Sequence, residues 1–407
     1  MRDGADYVEK SQFSFPVEAG GTLTTDNAFA SIKISSWAKD EVNVTVEKRS
    51  EIANEGRARR AIDDVEVRTE KRDDDVHINV EGPDSNRRNR VTVSITVRVP
   101  ERYHLDLKAS GGDIVIDDLR GDVRARSSGG DVVMGNIRES TVDVRTSGGD
   151  IRLESGEADT RMKTSGGDVR IENAGGRTEV QASGGDIQIE HADGDVDVRT
   201  SGGDFEIENT AGKLTASSSG GDIDIENATG RLSIGTSGGD IQIENAMDGV
   251  DAESGGGDID IENARGTITV RTTGGDIQIE NAQGGVTAKT SGGDINIQFA
   301  GDDSSTDRSS HLESTGGEVT VYLPDDLAAT IDAEIKIDPS GFWRRRDYRI
   351  YSEFDLFGNA IDGGPTRTWA WVSGRLSARA RVKGDLNGGG DEIRIETTHG
   401  NIKIKKR

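Results

Sequence analysis

The chain has 407 residues, 75 acidic and 50 basic side chains, a formal net charge of −25 at pH 7, and no cysteine. This charge argues against nucleic acid and anionic membrane surfaces as partners, because both require a basic binding face. The lack of cysteine excludes disulfides and thiol chemistry. An aromatic share of 4% together with 54 glycines predicts a thin, repetitive core.

Residues 1–108 are predicted to form a β-rich N-terminal cap. Apolar and polar residues alternate at 31–35, 41–48, 75–81 and 91–100, and this period of two is typical of strands with one buried face. One short helix is predicted within 50–65. The cap would cover the open end of the repeats that follow, where strand edges would otherwise stay unpaired.

Residues 109–300 carry a regular repeat, of which TSGGDIQIENA at 236–246 is one copy. Each copy holds two short alternating stretches, with turns at Ser-Gly-Gly and at Asn-Ala-x-Gly, both built from residues that accept unusual backbone angles. The copies recur every 18 residues with a single step of 19, and no six-residue subperiod supports a left-handed hexapeptide helix. The pattern predicts an all-β fold: an elongated single-chain β-solenoid, similar to a parallel β-helix, with two short strands per 18-residue coil.

Residues 301–407 are predicted to hold degenerate repeats, an insertion rich in aromatic residues and arginine, and terminal coils at 392–407. Aromatic and guanidinium groups dominate interface hot spots, which makes the insertion a candidate partner site. The same residues would serve equally well to cover the C-terminal end of the solenoid. The candidate residues are Trp343, Arg344, Arg345, Arg346, Tyr348, Trp369 and Trp371.

The aspartates that follow the paired glycines form a column with two interpretations. Stacked carboxylates about 5 Å apart repel one another by roughly 0.8 kcal/mol per pair in water. Bound calcium would remove this repulsion, whereas the alternative that we favour is that each carboxylate accepts hydrogen bonds from N–H groups of the Ser-Gly-Gly turn, with salt screening the charge. The cation hypothesis concerns Asp168, Asp186, Asp204, Asp222, Asp240, Asp258, Asp276 and Asp294. No other cofactor is predicted.

Three further patterns recur along the repeats. A row of asparagines, interrupted by His191, is predicted to pass amide hydrogen bonds from coil to coil. Outward positions of the first strand are acidic or amide, and the second strand often ends in a base. These faces could simply keep the solenoid soluble, or they could bind a polysaccharide or a basic partner. The bases are Arg126, Arg145, Lys163, Arg199, Arg271 and Lys289.

Catalysis is disfavoured because the acidic side chains repeat in every coil, so that no pair is set apart by its surroundings as catalytic carboxylates are. We therefore expect a non-enzymatic protein that presents a repetitive acidic surface. A polysaccharide-binding or polysaccharide-cleaving β-helix and a calcium-stabilised solenoid are the alternatives.

Four stretches carry a resemblance to a known family: 31–48, the SGGDI copies, EVTVYLP at 318–324, and 385–404. Together they resemble the bacterial putative-adhesin β-strand-repeat family, a domain of unknown function in envelope-associated proteins. The resemblance implies a non-catalytic, structural or adhesin-like role at the cell envelope or outside the cell. The expected partner is a cell-envelope or extracellular protein or a polysaccharide. No membrane span or apolar leader segment is visible in the chain, so a cytoplasmic protein and a mature form with its leader removed both stay open.

Overall fold

The computed structural model describes residues 2–3, 6–28, 30–82, 91–301, 307–336, 348–356, 368–372 and 379–407. The chain divides into two compact units, Met1–Gly203 and Asp204–Arg407, each of which is described by itself. The boundary falls inside the predicted repeat region, and the three-part division at 108 and 300 stays a prediction.

The first unit begins with long strands and one helix, as the alternating runs predicted. These elements are β1 (Arg2–Asp3), β2 (Asp6–Pro16), β3 (Thr22–Ala28), β4 (Ser31–Trp37), β5 (Glu41–Ser50), α1 (Glu55–Asp63), β6 (Glu66–Arg72), β7 (Asp75–Glu81), β8 (Val91–Pro100) and β9 (His104–Ala109). The helix begins at a side-chain cap, where Asn54 Oδ1 accepts from the backbone N–H of Arg57 at 3.0 Å. It packs through the buried Ala58 and Ile62.

Shorter strands then alternate between two parallel stacks. They are β10 (Ile114–Ile116), β11 (Leu119–Arg120), β12 (Val123–Ser127), β13 (Val132–Arg138), β14 (Val142–Arg145), β15 (Ile151–Gly156), β16 (Thr160–Lys163), β17 (Val169–Ala174), β18 (Thr178–Gln181), β19 (Ile187–Ala192) and β20 (Val196–Arg199). One sheet runs β1-β2-β5-β8-β4-β10-β13-β15-β17-β19, and the other runs β6-β7-β3-β9-β12-β14-β16-β18-β20. Among the described residues of this unit, pairing is antiparallel at the N-terminal edges, between β5 and β8, β2 and β5, β1 and β2, and β6 and β7, and parallel elsewhere.

The second unit continues the alternation. Its strands are β21 (Phe205–Thr210), β22 (Leu214–Ser218), β23 (Ile223–Ala228), β24 (Leu232–Thr236), β25 (Ile241–Ala246), β26 (Val250–Ser254), β27 (Ile259–Arg265), β28 (Ile268–Thr272), β29 (Ile277–Gln283), β30 (Val286–Thr290), β31 (Ile295–Phe299), β32 (Ser310–Ser314), β33 (Val319–Leu323), β34 (Ala329–Lys336), β35 (Tyr348–Ser352), β36 (Thr368–Val372), β37 (Arg379–Leu386), β38 (Asp391–Thr397) and β39 (Ile402–Lys406).

The last two strands of the chain do not lie at the edge of the second unit. β38 inserts between β32 and β34, and β39 inserts between β33 and β35, all in parallel. The antiparallel strands β37 and β36 then pair with β34 and β35. Residues 391–406 therefore form a coil, as their alternation predicted, but this coil lies inside the stack.

The core is a thin layer between the two sheets, filled by one apolar set per coil. In the coil that begins at Asp186, Ile187, Ile189, Val196 and Val198 are all 2% exposed or less. The parallel register places equivalent apolar residues of successive coils next to each other, for example Ile151 beside Val169 and Val169 beside Ile187. The predicted all-β solenoid with two strands per coil is confirmed. None of the described helices has the length and apolar character needed to cross a membrane.

Candidate binding surfaces

The second glycine of each Ser-Gly-Gly turn is required by a close approach between coils. A Cβ atom on Gly239 would lie 2.2 Å from the carbonyl oxygen of Gly221, whereas a Cβ on Gly238 would meet nothing within 4 Å. Neither glycine has a positive φ. The expectation that these turns need unusual backbone angles is therefore wrong for Ser-Gly-Gly, and the contact with the preceding coil is the reason for glycine.

A column of buried hydroxyl groups, which the sequence reasoning missed, holds these turns together. Thr290 Oγ1 donates to the carbonyl of Gly275 in the preceding coil at 2.9 Å and accepts from the N–H of Gly293 in its own turn at 3.2 Å. The available signal was the serine or threonine three residues before the second glycine. The residues with both contacts are Ser127, Thr146, Thr164, Thr236, Ser254, Thr272, Thr290 and Ser314.

The aspartate column is a set of hydrogen-bond acceptors between coils. Oδ1 of Asp240 accepts from the backbone N–H of Asp258 at 2.7 Å, and the same contact links successive aspartates within each unit at 2.6 to 3.0 Å. The predicted acceptor role is right, but the donor is the aspartate N–H of the next coil. Over the part of the chain that the structure describes, no group of three or more His, Asp or Glu residues could hold a metal ion. The cation hypothesis stays a prediction.

The asparagine ladder is confirmed in the second unit. The side-chain amide of Asn227 donates to Oδ1 of Asn209 at 3.3 Å, and each later asparagine donates to the one before it at 3.0 to 3.1 Å. The ladder ends at Asn281, whose Oδ1 accepts from Arg407 at 2.5 Å. In the first unit, His191 lies beside Asn173 in the asparagine position.

The outward side of one sheet in the second unit forms what we call the acidic face. Its outward positions along β21, β23, β25, β27, β29 and β31 are mostly carboxylates and amides, with the base Arg265 at the end of β27, and none of the residues named here is buried. Burial raises the pKa of Asp260, and the charges of Glu280 and Glu262 raise it further. Its Oδ1 atom is buried without a hydrogen-bond partner. The acidic face comprises Glu206, Asp224, Gln242, Asp260, Gln278 and Asn296 in register, with Glu208, Glu226, Glu244, Glu262 and Glu280 beside them.

The outward side of the other sheet in the first unit carries a row of bases next to a mixed row that holds Asp106, Asp143, Glu179 and Asp197. One position of β9, β12, β14, β16, β18 and β20 stacks in register and forms what we call the basic row: Lys108, Arg126, Arg145, Lys163, Gln181 and Arg199. Like charges at the strand spacing of about 4.8 Å repel by roughly 0.9 kcal/mol per neighbouring pair in water. A groove of about 500 Å³ runs beside Arg145, Lys163 and Gln181.

A cluster of ionised side chains joins β34, β37 and β38. Asp332 accepts two hydrogen bonds from Arg381, at 2.8 and 2.5 Å, and these bonds hold its pKa below its usual range. Burial opposes the charged form of Glu396, but hydrogen bonds from Lys336 and Arg394 outweigh it and lower its pKa. These carboxylates differ from those of the other coils, yet their ion pairs keep them charged and give them a structural part in fastening β34 to β38.

The comparison with known families decides what kind of repeat this is. A model of the Toastrack DUF4097 family matches residues 25–208 and 209–337. The chain belongs to this family. The resemblance to a putative-adhesin repeat domain of unknown function is thereby confirmed.

Solved structures with some similarity to the Toastrack chain include a putative adhesin from Bacteroides fragilis, with 16% identity, a TM-score of 0.35, and coverage of 58% of this chain and 97% of that one. A putative lipid binding protein from Parabacteroides distasonis shares 14% identity, with a TM-score of 0.26 and coverage of 69% and 96%. A putative cell adhesion protein from Clostridium sporogenes shares 11%, with a TM-score of 0.15 and coverage of 98% and 100%. Among curated proteins, none matches.

The predicted partner site of this Toastrack protein lies largely outside the described residues, which do not include Trp343, Arg344, Arg345 and Arg346. Tyr348 is 7% exposed, and its ring lies edge-on to that of His399 with centroids 6.4 Å apart. The backbone of β36 places Trp369 opposite Tyr351 and Trp371 opposite Arg349. Tyr348 thus packs inside the second unit, and a partner site in the insertion stays a prediction.

Proposed function

We propose that this Toastrack protein is a non-enzymatic, adhesin-like binding protein of the bacterial cell envelope, and that its solenoid presents charged outer faces to extracellular partners. The observation that carries the proposal is the register of the coils. The strands pair in parallel and in register at these positions, so one outward side chain per coil is repeated into a surface rich in carboxylates and amides that crosses six strands. Repeat proteins use such extended surfaces for binding.

The turn contacts support a binding role over a catalytic one. The most repeated carboxylates accept backbone N–H groups between coils, and Asp332 and Glu396 are held in ion pairs. A general acid needs a raised pKa instead. Two of the similar structures are described as a putative adhesin and a putative cell adhesion protein, which agrees with this proposal.

One observation favours the polysaccharide-cleaving alternative. Asp260 has a raised pKa and lies near two other carboxylates, which is a setting that enzymes use. Purified protein should be incubated with acidic and neutral polysaccharides while new reducing ends are measured. We expect no release. Release that disappears in Asp260→Asn would establish a glycosidase and overturn the non-enzymatic proposal.

The envelope role is tested in the cells that produce the protein. Intact cells should be treated with an external protease, and the protein followed by antibody beside a cytosolic marker. We expect the protein to be degraded while the marker stays intact. In a separate assay, beads coated with the purified protein should adhere to envelope fragments prepared from the same cells. Protection from protease until the cells are lysed would overturn the proposed location.

A further inference from the structure

The basic row is not demanded by the fold. At the corresponding position of the second unit, Ser217, Gly235 and Glu253 stack in the same parallel register before the bases Arg271 and Lys289, so three coils there fold without a base. Like charges that face one another across neighbouring strands are unfavourable. Five bases in six consecutive strands, on a chain with a net charge of −25, therefore require a reason other than folding.

The chain neutralises the ends of the basic row better than its middle. Lys108 pairs with Asp26 at 2.7 Å, and Arg199 pairs with Asp197 at 3.1 Å. Toward the middle, the separations lengthen to 3.4 Å for Arg145 and Asp143 and to 3.8 Å for Arg126 and Asp106.

Lys163 is the least neutralised member of the row. Its ammonium group has neither an ion pair nor a hydrogen bond to any residue that the structure describes, and the side chain is exposed. It borders the groove of about 500 Å³ together with Arg145, Arg161 and Gln181. The open positive charge and the groove thus coincide.

We propose that the basic row binds a linear acidic polysaccharide that carries one carboxylate per sugar residue. This inference rests on the proposed envelope role and names the chemical class of the partner. The sugar repeat of an extended polysaccharide is similar in size to the strand spacing of roughly 4.8 Å, so carboxylates on one side of the polymer can meet bases along the row. Guanidinium groups match carboxylates with two parallel hydrogen bonds, and the side-chain amide of Gln181 and carboxylate of Glu179 can bind sugar hydroxyls along the groove.

The acidic face of a second copy is a weaker candidate for the same surface. Docking two copies would bring together two chains that each carry a net charge of −25, and their mutual repulsion would oppose the local attraction. The net charge also repels an acidic polymer, but a thin, flexible polymer can confine its contacts to the row.

The binding test uses the full chain and fluorescently labelled polygalacturonate, with anisotropy measured across a range of salt concentrations. The variant is the double substitution Arg145→Gln and Lys163→Gln. The matched control is Arg271→Gln with Lys289→Gln, which removes two bases at the corresponding position of the second unit, where Arg271 lies beside Glu253 and Lys289 pairs with Glu313. All of these side chains are exposed or half-buried, so melting temperatures should stay close to that of the unchanged protein.

We expect the unchanged protein to bind the polymer, with affinity falling as salt increases. The first variant should bind about tenfold more weakly, since each lost surface ion pair is worth up to about threefold in affinity. The control should change affinity by less than about twofold. Neutral dextran should not bind, and monomeric galacturonate should not compete at equal carboxylate concentration.

Three results would overturn the inference. Equal losses in both double variants would show general charge attraction and no role for the row. Equal binding of duplex DNA would assign the row to phosphate. Salt-sensitive self-association that disappears in the first variant would assign it to a second copy. None of these results bears on protease accessibility in intact cells, so the proposed envelope role and the polysaccharide inference can fail separately.

Discussion

The Ser-Gly-Gly-Asp turns and the outer sheet faces belong to the same coils, but they differ in how much their residues change along the chain. The turns use the same glycine, hydroxyl and carboxylate in nearly every coil because each of these groups contacts the coil before or after it. The outer faces carry a row of bases on one sheet of the first unit and rows of carboxylates and amides on one sheet of the second. The turn residues are therefore the same throughout because they join neighbouring coils, whereas the outer residues can differ between the two units and give each its own surface.

The largest effect is expected from a substitution at the close approach between successive Ser-Gly-Gly turns. Gly239→Ala should destabilise the protein by about 3 kcal/mol, because the new Cβ atom would overlap the backbone carbonyl of Gly221, which cannot move without opening the stack. Urea denaturation followed by circular dichroism measures the change. Gly238→Ala is the matched control one residue away, in open space, and should stay within about 1 kcal/mol of the unchanged protein. Equal losses in the two variants would contradict the close-approach explanation.

A smaller effect is expected from the hydroxyl column. Thr290→Val keeps the shape of the side chain but leaves the carbonyl of Gly275 and the N–H of Gly293 without their buried partner. We expect a loss of about 2 kcal/mol by the same measurement. Thr290→Ser should recover most of it, since Ser254 and Ser314 make the same two contacts in other coils. If serine were as damaging as valine, packing of the methyl group would matter more than the hydroxyl.

The sequence predicted the parts of the fold that depend on local pattern. The alternation around Ile187 and Val196 was enough to predict two strands per coil, because a period of two buries one face of a strand. The same alternation could not show that β38 and β39 lie inside the stack, since it predicts a strand and not its neighbours. Aspartate Oδ1 was likewise recognisable as an acceptor, but its donor lies one coil away and depends on the stacking itself.

The candidate surfaces were only partly predictable for the same reason. The bases at Arg126, Arg145, Lys163 and Arg199 were visible in the sequence, and their 18- and 19-residue spacing suggested one edge. Whether these bases can bind an anion depends on which carboxylates of the chain already pair with them. Only the structure shows that Lys163 has no carboxylate partner among the described residues. The acidic face was predicted by composition, whereas the special environment of Asp260 was not.

A substitution in the acidic face should stabilise the protein, whereas the substitutions in the turns should destabilise it. Because the folded state raises the pKa of Asp260, the ionised carboxylate is less favourable in the folded protein than in the unfolded chain. This cost is fully present above the folded pKa, shrinks as the pH falls through it, and is absent below the unfolded value of about 3.9. Asp260→Asn should therefore stabilise the protein at pH 7 by about 0.5 kcal/mol or less.

The pH series identifies the cause of this stabilisation. Melting temperatures of Asp260→Asn and the unchanged protein should converge as the pH is lowered toward 4. Asp224→Asn provides the control, because Asp224 occupies the same row of the acidic face but is exposed. A gain for Asp260→Asn that persists unchanged at low pH would assign the effect to packing and not to charge.

The smallest expected effect concerns the aspartate column, where the outcome should be no change. Each Oδ1 atom already accepts a backbone N–H from the neighbouring coil, and these bonds hold the carboxylates in place without an ion. Added salt should raise the melting temperature by screening their repulsion, but a chelator at fixed ionic strength should leave it unchanged. A specific ion would instead add stability that grows with the logarithm of its free concentration above the dissociation constant. A fall in melting temperature with chelator that calcium reverses and magnesium does not would establish calcium in the column and restore the cation hypothesis.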